Sequence, residues 1–124
     1  MIPTGVDMVY IPRVENALKR FGPRFVERVF TAREIALSHG FAHELAARFA
    51  AKEAVAKALG VGMRVMSPAG VKFDEVEVLR DLFGKPMVAL SGRAAERAQQ
   101  LDLTEWAISL SHERDYAIAV VVAQ

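Results

Sequence analysis

Arg48, Lys52, Glu53 and Lys57 stand in the stretch RFAAKEAVAKALG, residues 48–60, which is otherwise alanine and larger apolar residues. Wound at 3.6 residues per turn, Ala46, Ala47, Ala50, Ala51, Ala54 and Ala58 form a smooth face that another backbone could approach closely. Leu45, Phe49, Val55, Ala56 and Leu59 form a second apolar arc. Arg48 and Lys52 fall inside that arc, and Glu53 and Lys57 lie at its border. A helix apolar on most sides is normally buried, and a buried charge needs an opposite charge, a metal or a ligand. Glu44 with Arg48 and Glu53 with Lys57 also have the i,i+4 spacing of surface ion pairs, each worth about 0.2–0.5 kcal/mol. The segment therefore reads either as a salt-bridged helix or as one wall of a charged site.

Asp7 lies within an apolar, β-branched stretch where aspartate is disfavoured. Alternation places it on the face of Gly5, Val9 and Ile11, either as a functional carboxylate, as an aspartate at a frayed strand end, or as the partner of an arginine. Gly60-Val61-Gly62 reads as a helix C-cap or as amides offered to a phosphate, without help from the helix dipole, which is negative at that end. His112, after Ser109-Leu110-Ser111, is either a solvated loop residue or an acid, base or anion binder. From Tyr10 to Arg33 the cations Arg13, Lys19, Arg20, Arg24, Arg28 and Arg33 face only Glu15 and Glu27. In a chain of net charge +1, that clustering points to an acidic partner.

These residues need elements to hold them. Ile2–Tyr10 reads as a strand, Pro12 as a helix start, and Arg13–Phe21 as the helix. Gly22-Pro23 ends it and opens another. Thr31-Ala32-Arg33-Glu34 is a capping box, with Phe30 and Ile35 as its hydrophobic staple. The long helix runs from His43 to Leu59. After Ser67-Pro68, strands are expected over Val71–Leu79 and Met87–Leu90, joined by Gly84-Lys85-Pro86. Ser91 is the expected cap of a helix through Leu101. Trp106–Ser111 and Tyr116–Ala123 form a closing pair of strands, with His112-Glu113-Arg114-Asp115 between them. The fold class is α+β: a small antiparallel sheet packed with a long central helix and short N-terminal helices, expected as one domain over residues 1–124.

At 52% hydrophobic and 25% charged, the chain reads as a folded soluble protein. The near-neutral net charge argues against nucleic-acid binding. Without cysteine, thiolate metal sites and cysteine nucleophiles are excluded. No signal segment opens the chain, and its longest apolar run, Tyr116–Ala123, is too short to span a bilayer, so a cytoplasmic protein without membrane contact is expected. Nothing resembles a nucleophile elbow, a Walker loop or a His-Glu-x-x-His zinc helix.

Five segments, in order and over nearly the whole chain, together resemble the small bacterial class of 4′-phosphopantetheinyl transferases, the holo-acyl-carrier-protein synthases. They are Gly5-Val6-Asp7 with Arg13, Phe30-Thr31 with Glu34, Arg48-Phe49-Ala50-Ala51-Lys52-Glu53-Ala54 through Lys57-Ala58-Leu59-Gly60, Gly84-Lys85-Pro86, and Ser109-Leu110-Ser111-His112. Glu113 departs from the pattern, since many members carry threonine there.

The resemblance implies transfer of phosphopantetheine from coenzyme A to a serine of apo-acyl carrier protein, with release of adenosine 3′,5′-bisphosphate, in fatty-acid biosynthesis. It implies Asp7 and Glu53 as ligands of Mg2+, with Mn2+ as an alternative, a set suited to a cation that keeps water and substrate phosphates. Lys57 would reach the same phosphates. Arg48 and Lys52 would contact phosphate or brace the carboxylates; Gly60, Gly62, Pro86 and His112 would lie along coenzyme A. The proton acceptor stays open between a metal-bound water and Glu53. Arg13, Arg20, Arg24 and Arg28 would dock the carrier protein. A homotrimer with inter-subunit sites is also implied, and the final strand agrees, since Ile118, Val120 and Val122 make one apolar face and Ala117, Ala119, Val121 and Ala123 another. The rival readings are a non-catalytic coenzyme A-binding module and a structural trimer with internal ion pairs.

Overall fold

The computed structural model describes residues 1–64 and 68–124; Ser67 of the expected Ser67-Pro68 break lies outside the described residues. Chain order is β1 (Thr4–Tyr10), α1 (Ile11–Phe21), α2 (Pro23–Val29), α3 (Ala32–Ser38), α4 (Ala42–Leu59), a 3-10 turn (Phe73–Glu75), β2 (Val76–Arg80), β3 (Pro86–Leu90), α5 (Gly92–Gln100), β4 (Trp106–Glu113) and β5 (Tyr116–Ala123). The strands form an antiparallel three-stranded sheet, β1-β5-β4, and a separate β2-β3 hairpin. The expected α+β architecture is the observed one.

Helix α4 lies across the inner face of the larger sheet, chiefly against β1 and β5. Its alanine face permits the close approach: a Cβ at Gly5 would collide with the Ala54 carbonyl, so only glycine fits there. Leu45, Ala54, Val55, Leu59, Ala119 and Val121 are 0% exposed, and burying each leucine or valine contributes about 1.5–3 kcal/mol. The other face of the sheet is apolar and open, with Val6 52%, Met8 61%, Val120 42% and Val122 39% exposed.

Around this frame the sequence signals act as expected at most junctions. Gly22 takes φ 56° between α1 and α2. Thr31 and Glu34 complete their capping box, Glu34 N donating to Thr31 Oγ1 at 3.2 Å and Thr31 N to Glu34 Oε1 at 3.0 Å. Three expectations are corrected. The strand expected over Val71–Leu79 begins only at Val76, because Lys72 N donates to the Glu75 carboxylate at 2.8 Å and bends residues 73–75 into the 3-10 turn. Ser91 makes no side-chain cap on α5; the Glu75 carboxylate takes the Arg93 N–H instead. His112 and Glu113 lie within β4, paired with Ala117 and Tyr116, so the turn shrinks to Arg114 and Asp115, with Arg114 at φ 54°.

Candidate active site

The close seating of β1 on α4 puts Asp7 beside the Glu53–Lys57 edge of the helix. Lys57 Nζ donates to Asp7 Oδ1 and to the Val6 carbonyl, both at 2.9 Å. Asp7 and Glu53 open into one cleft of about 410 Å³, whose walls include Arg13, Val14, Phe25 and Phe49. Partial burial pushes the Glu53 carboxyl above its usual range, and the Asp7 charge pushes it further, with Lys57 offsetting part of the rise. Two carboxylates held together on partly apolar walls repel each other, and a cation is what relieves that repulsion.

Arg48 and Lys52 do not line this cleft, and Lys52 has no donor free for the coenzyme A phosphate expected of it. Lys52 is 0% exposed, and its three N–H groups go to Glu34 Oε1 at 2.7 Å, the Phe73 carbonyl at 2.7 Å and the Val76 carbonyl at 2.5 Å. An ammonium has three donors, so none remains for a phosphate. Burial draws the Lys52 ammonium below its usual pKa, against the opposing pull of Glu34. Glu34, also 0% exposed, spends its other oxygen on Val78 N at 3.0 Å. Arg48, 1% exposed, bonds Glu44 at 2.9 Å and the Val78 carbonyl at 3.3 Å. Lys52 fastens α4 to α3 and to β2, and Arg48 fastens it to β2.

His112 and Pro86 come together in a second pocket of about 190 Å³ that also holds His43, Glu44 and Arg80. The His43 and His112 rings are 5.2 Å apart. His43 and Arg80 escaped the sequence reading. His43 sits one turn before Ala47 on the same helix face, the available signal, whereas Arg80 is brought in by the hairpin. Burial raises the Glu44 carboxyl, but bonding to Arg48, with Arg80 added, brings it net below its usual range. At Gly60 and Gly62 the geometry is that of the helix C-cap, one of the two readings of this segment. The N–H of Gly60 goes to Lys57 O at 3.0 Å and that of Gly62 to Ala56 O at 3.3 Å, so these amides end the helix and are not free to cradle a phosphate.

The basic run is spread over α1 and α2. Arg13 enters the carboxylate cleft, Arg20 lies 5.4 Å over the Phe21 ring, Arg24 is exposed, and Arg28 lines a further cavity with Arg64 and Lys72. Among the described residues, no group of three or more His, Asp or Glu side chains is gathered to enclose a metal. Asp7 and Glu53 form a two-carboxylate oxygen set facing a cleft, which fits a hard divalent cation that draws its other ligands from water and substrate.

A family model described as the 4′-phosphopantetheinyl transferase superfamily matches residues 3–121. The chain is 48% identical to the holo-[acyl-carrier-protein] synthase of Herpetosiphon aurantiacus, over 98% of each chain. Its fold is similar to the Helicobacter pylori holo-[acyl-carrier-protein] synthase crystallised with coenzyme A, at TM-score 0.86 and 34% identity over 100% of both chains. The Neisseria meningitidis enzyme of the same name superposes at TM-score 0.87 and 34% identity, covering 100% of this chain and 99% of the other. On this match across the length of the chain, the protein belongs to the 4′-phosphopantetheinyl transferase superfamily and is a transferase enzyme.

Proposed function

We propose that the protein is a holo-acyl-carrier-protein synthase, a single domain over residues 1–124 that moves 4′-phosphopantetheine from coenzyme A to a serine of apo-acyl carrier protein. The observation that carries this reading is the convergence of Asp7 and Glu53, from β1 and α4, on one cleft that also holds Arg13, with Lys57 bonded to Asp7. In the reaction the serine oxygen forms a bond to the phosphorus bearing pantetheine. The bond from that same phosphorus to the bridging oxygen of the pyrophosphate breaks, and adenosine 3′,5′-bisphosphate leaves with that oxygen.

Asp7 and Glu53 would hold Mg2+, or Mn2+ in its place, which when bound neutralises charge on the pyrophosphate oxygens. Lys57 supplies a positive charge that can exchange Asp7 for a phosphate oxygen, since its side chain is 53% exposed. Glu53, with its carboxyl pushed upward, is the chain's own candidate to take the serine proton. Phe25 and Phe49 limit water on the apolar side of the cleft. Arg13, with Arg20, Arg24 and Arg28 around it, would attract an acidic carrier protein.

The site is read as shared between subunits of a homotrimer. Within one chain the carboxylate cleft and the His112–Pro86 pocket share no lining residue, yet coenzyme A would need both, with Pro86, His112, His43 and Arg80 at its nucleotide phosphates. The open apolar face of β1 and β5 is a surface for a neighbouring copy. The reaction is assigned to fatty-acid biosynthesis in the cytoplasm; among the described residues no helix is long and apolar enough to cross a membrane. The test is chromatography of a mixture of protein, Mg2+, coenzyme A and apo-acyl carrier protein. Adenosine 3′,5′-bisphosphate should appear only when the carrier is present, and release without carrier, or none at all, would contradict the reading.

A further inference from the structure

The cavity lined by Arg28, Arg64 and Lys72 lies outside the transfer chemistry. It measures about 390 Å³, with Val71 and Phe73 at its apolar side and Asp74 as its acidic lining residue. Arg28, Arg64 and Lys72 are exposed, and none has an ion-pair partner among the described residues. The wall is fixed by backbone: Arg64 N donates to Val71 O at 2.8 Å, and Val71 N to Gly62 O at 3.0 Å. A Cβ on Gly70 would collide with the Met63 carbonyl carbon. The two segments are therefore locked side by side, which fixes the backbone from which Arg64 and Lys72 extend.

This cavity adjoins the carboxylate cleft. The Phe73 ring is 5.3 Å from Phe49, which lines the cleft. On α2, Phe25 faces the cleft while Arg28, one turn later, faces the cavity. The two hollows thus run along opposite sides of one aromatic wall and are bordered by the same basic helix. An apolar floor, with cations on its rim that make no ion pair among the described residues, matches an acidic amphipathic polypeptide, whose carboxylates meet the rim and whose apolar side chains meet Val71 and Phe73. A lone phosphate would use only the rim.

We propose that Arg64 and Lys72, with Arg28 and the Phe73 floor, form a second docking subsite for an acidic segment of the protein acceptor, continuing the surface begun by Arg13 and Arg24. This rests on the carrier-protein reading above. Charges of this kind act mainly on encounter and are screened by salt.

The test is steady-state transfer by Arg64→Glu/Lys72→Glu, compared with wild type and with Arg13→Glu/Arg24→Glu, varying carrier and coenzyme A separately. KM for the carrier should rise roughly tenfold or more in each double variant, within the range that electrostatic steering supplies. For Arg64→Glu/Lys72→Glu, KM for coenzyme A should stay within about twofold of wild type, and the salt dependence should flatten. An unchanged carrier KM in this variant, with wild type active, overturns the subsite and leaves the transferase reading standing. A rise confined to coenzyme A assigns the cavity to a donor phosphate, and a changed oligomeric state assigns it to a second copy; either overturns the proposal. A wild type that modifies no carrier brings down the reading and the subsite together.

Discussion

Lys57 of α4 and Asp7 of β1, fifty residues apart in sequence, are joined by a 2.9 Å hydrogen bond at the lip of the carboxylate cleft. Their side chains are 53% and 20% exposed, so water screens the pair and its net worth is at most about 1 kcal/mol. Of the three cations on this helix segment, Lys57 is the one least committed to the fold, since Arg48 and Lys52 are buried.

Asp7→Asn and Glu53→Gln should each lower kcat by about a hundredfold or more, because each removes an anionic oxygen donor from the transition-state environment. Stability should not fall with activity. The Glu53 carboxyl is raised by burial and by Asp7, so its charged form is a net cost above its ordinary pKa. Glu53→Gln should therefore melt at or above the wild-type temperature at pH 7. Calorimetry alongside kinetics checks this, and an active variant or an unfolded one would both count against the assignment.

Lys52→Met and Lys57→Met should separate structure from chemistry. The first leaves Glu34 as an uncompensated buried charge and should cost about 3–5 kcal/mol in urea unfolding. The second breaks only the screened pair, so stability should change by about 1 kcal/mol or less while transfer collapses. The reverse pattern would return Lys52 to the phosphate site.

How far these roles could be read in advance depends on the distance over which each is decided. The 3.6 period exposed the charges within the apolar helix, and Thr31 with Glu34 announced a cap through local chemistry alone. Periodicity could not divide Lys52 from Lys57, because their partners, Glu34, Phe73, Val76 and Asp7, are 18 to 50 residues away. Glu75 illustrates the same limit. It bends its own turn locally, yet also caps α5 from 18 residues away, which displaced the reading of Ser91. Arg80 reaches the His43–His112 pocket only through hairpin geometry that spacing does not encode.

Acid should find the Glu77 network. Burial raises the Glu77 carboxyl, but hydrogen bonds from Thr31 and Arg33, with the charges of Arg33 and Lys52, bring it net below the ordinary value of 4.5. A carboxyl with a lowered folded pKa contributes stability that is full above the unfolded value and is lost as pH falls through the folded one. Glu77→Gln should thus be less stable than wild type at pH 7, with the difference shrinking below pH 4.5. Urea midpoints across that range read it directly, and a gap that stays constant would show that Glu77 acts through packing alone.

Val120→Lys places a charge in the middle of the open apolar face of β5, where Val120 is 42% exposed. In a closed trimer that charge would be buried unpaired at a cost of several kcal/mol. Sedimentation should show a trimer for wild type and smaller species for the variant, with activity lost. A fully active wild-type monomer would contradict the inter-subunit site.

Intact-mass spectrometry of the carrier protein tests the central claim most directly. Apo-acyl carrier protein incubated with coenzyme A, Mg2+ and this enzyme should gain one phosphopantetheine on a single serine. The gain should be absent when the enzyme is Asp7→Asn or Glu53→Gln. A carrier of unchanged mass with wild-type enzyme, or equal modification by the carboxylate variants, would contradict the account.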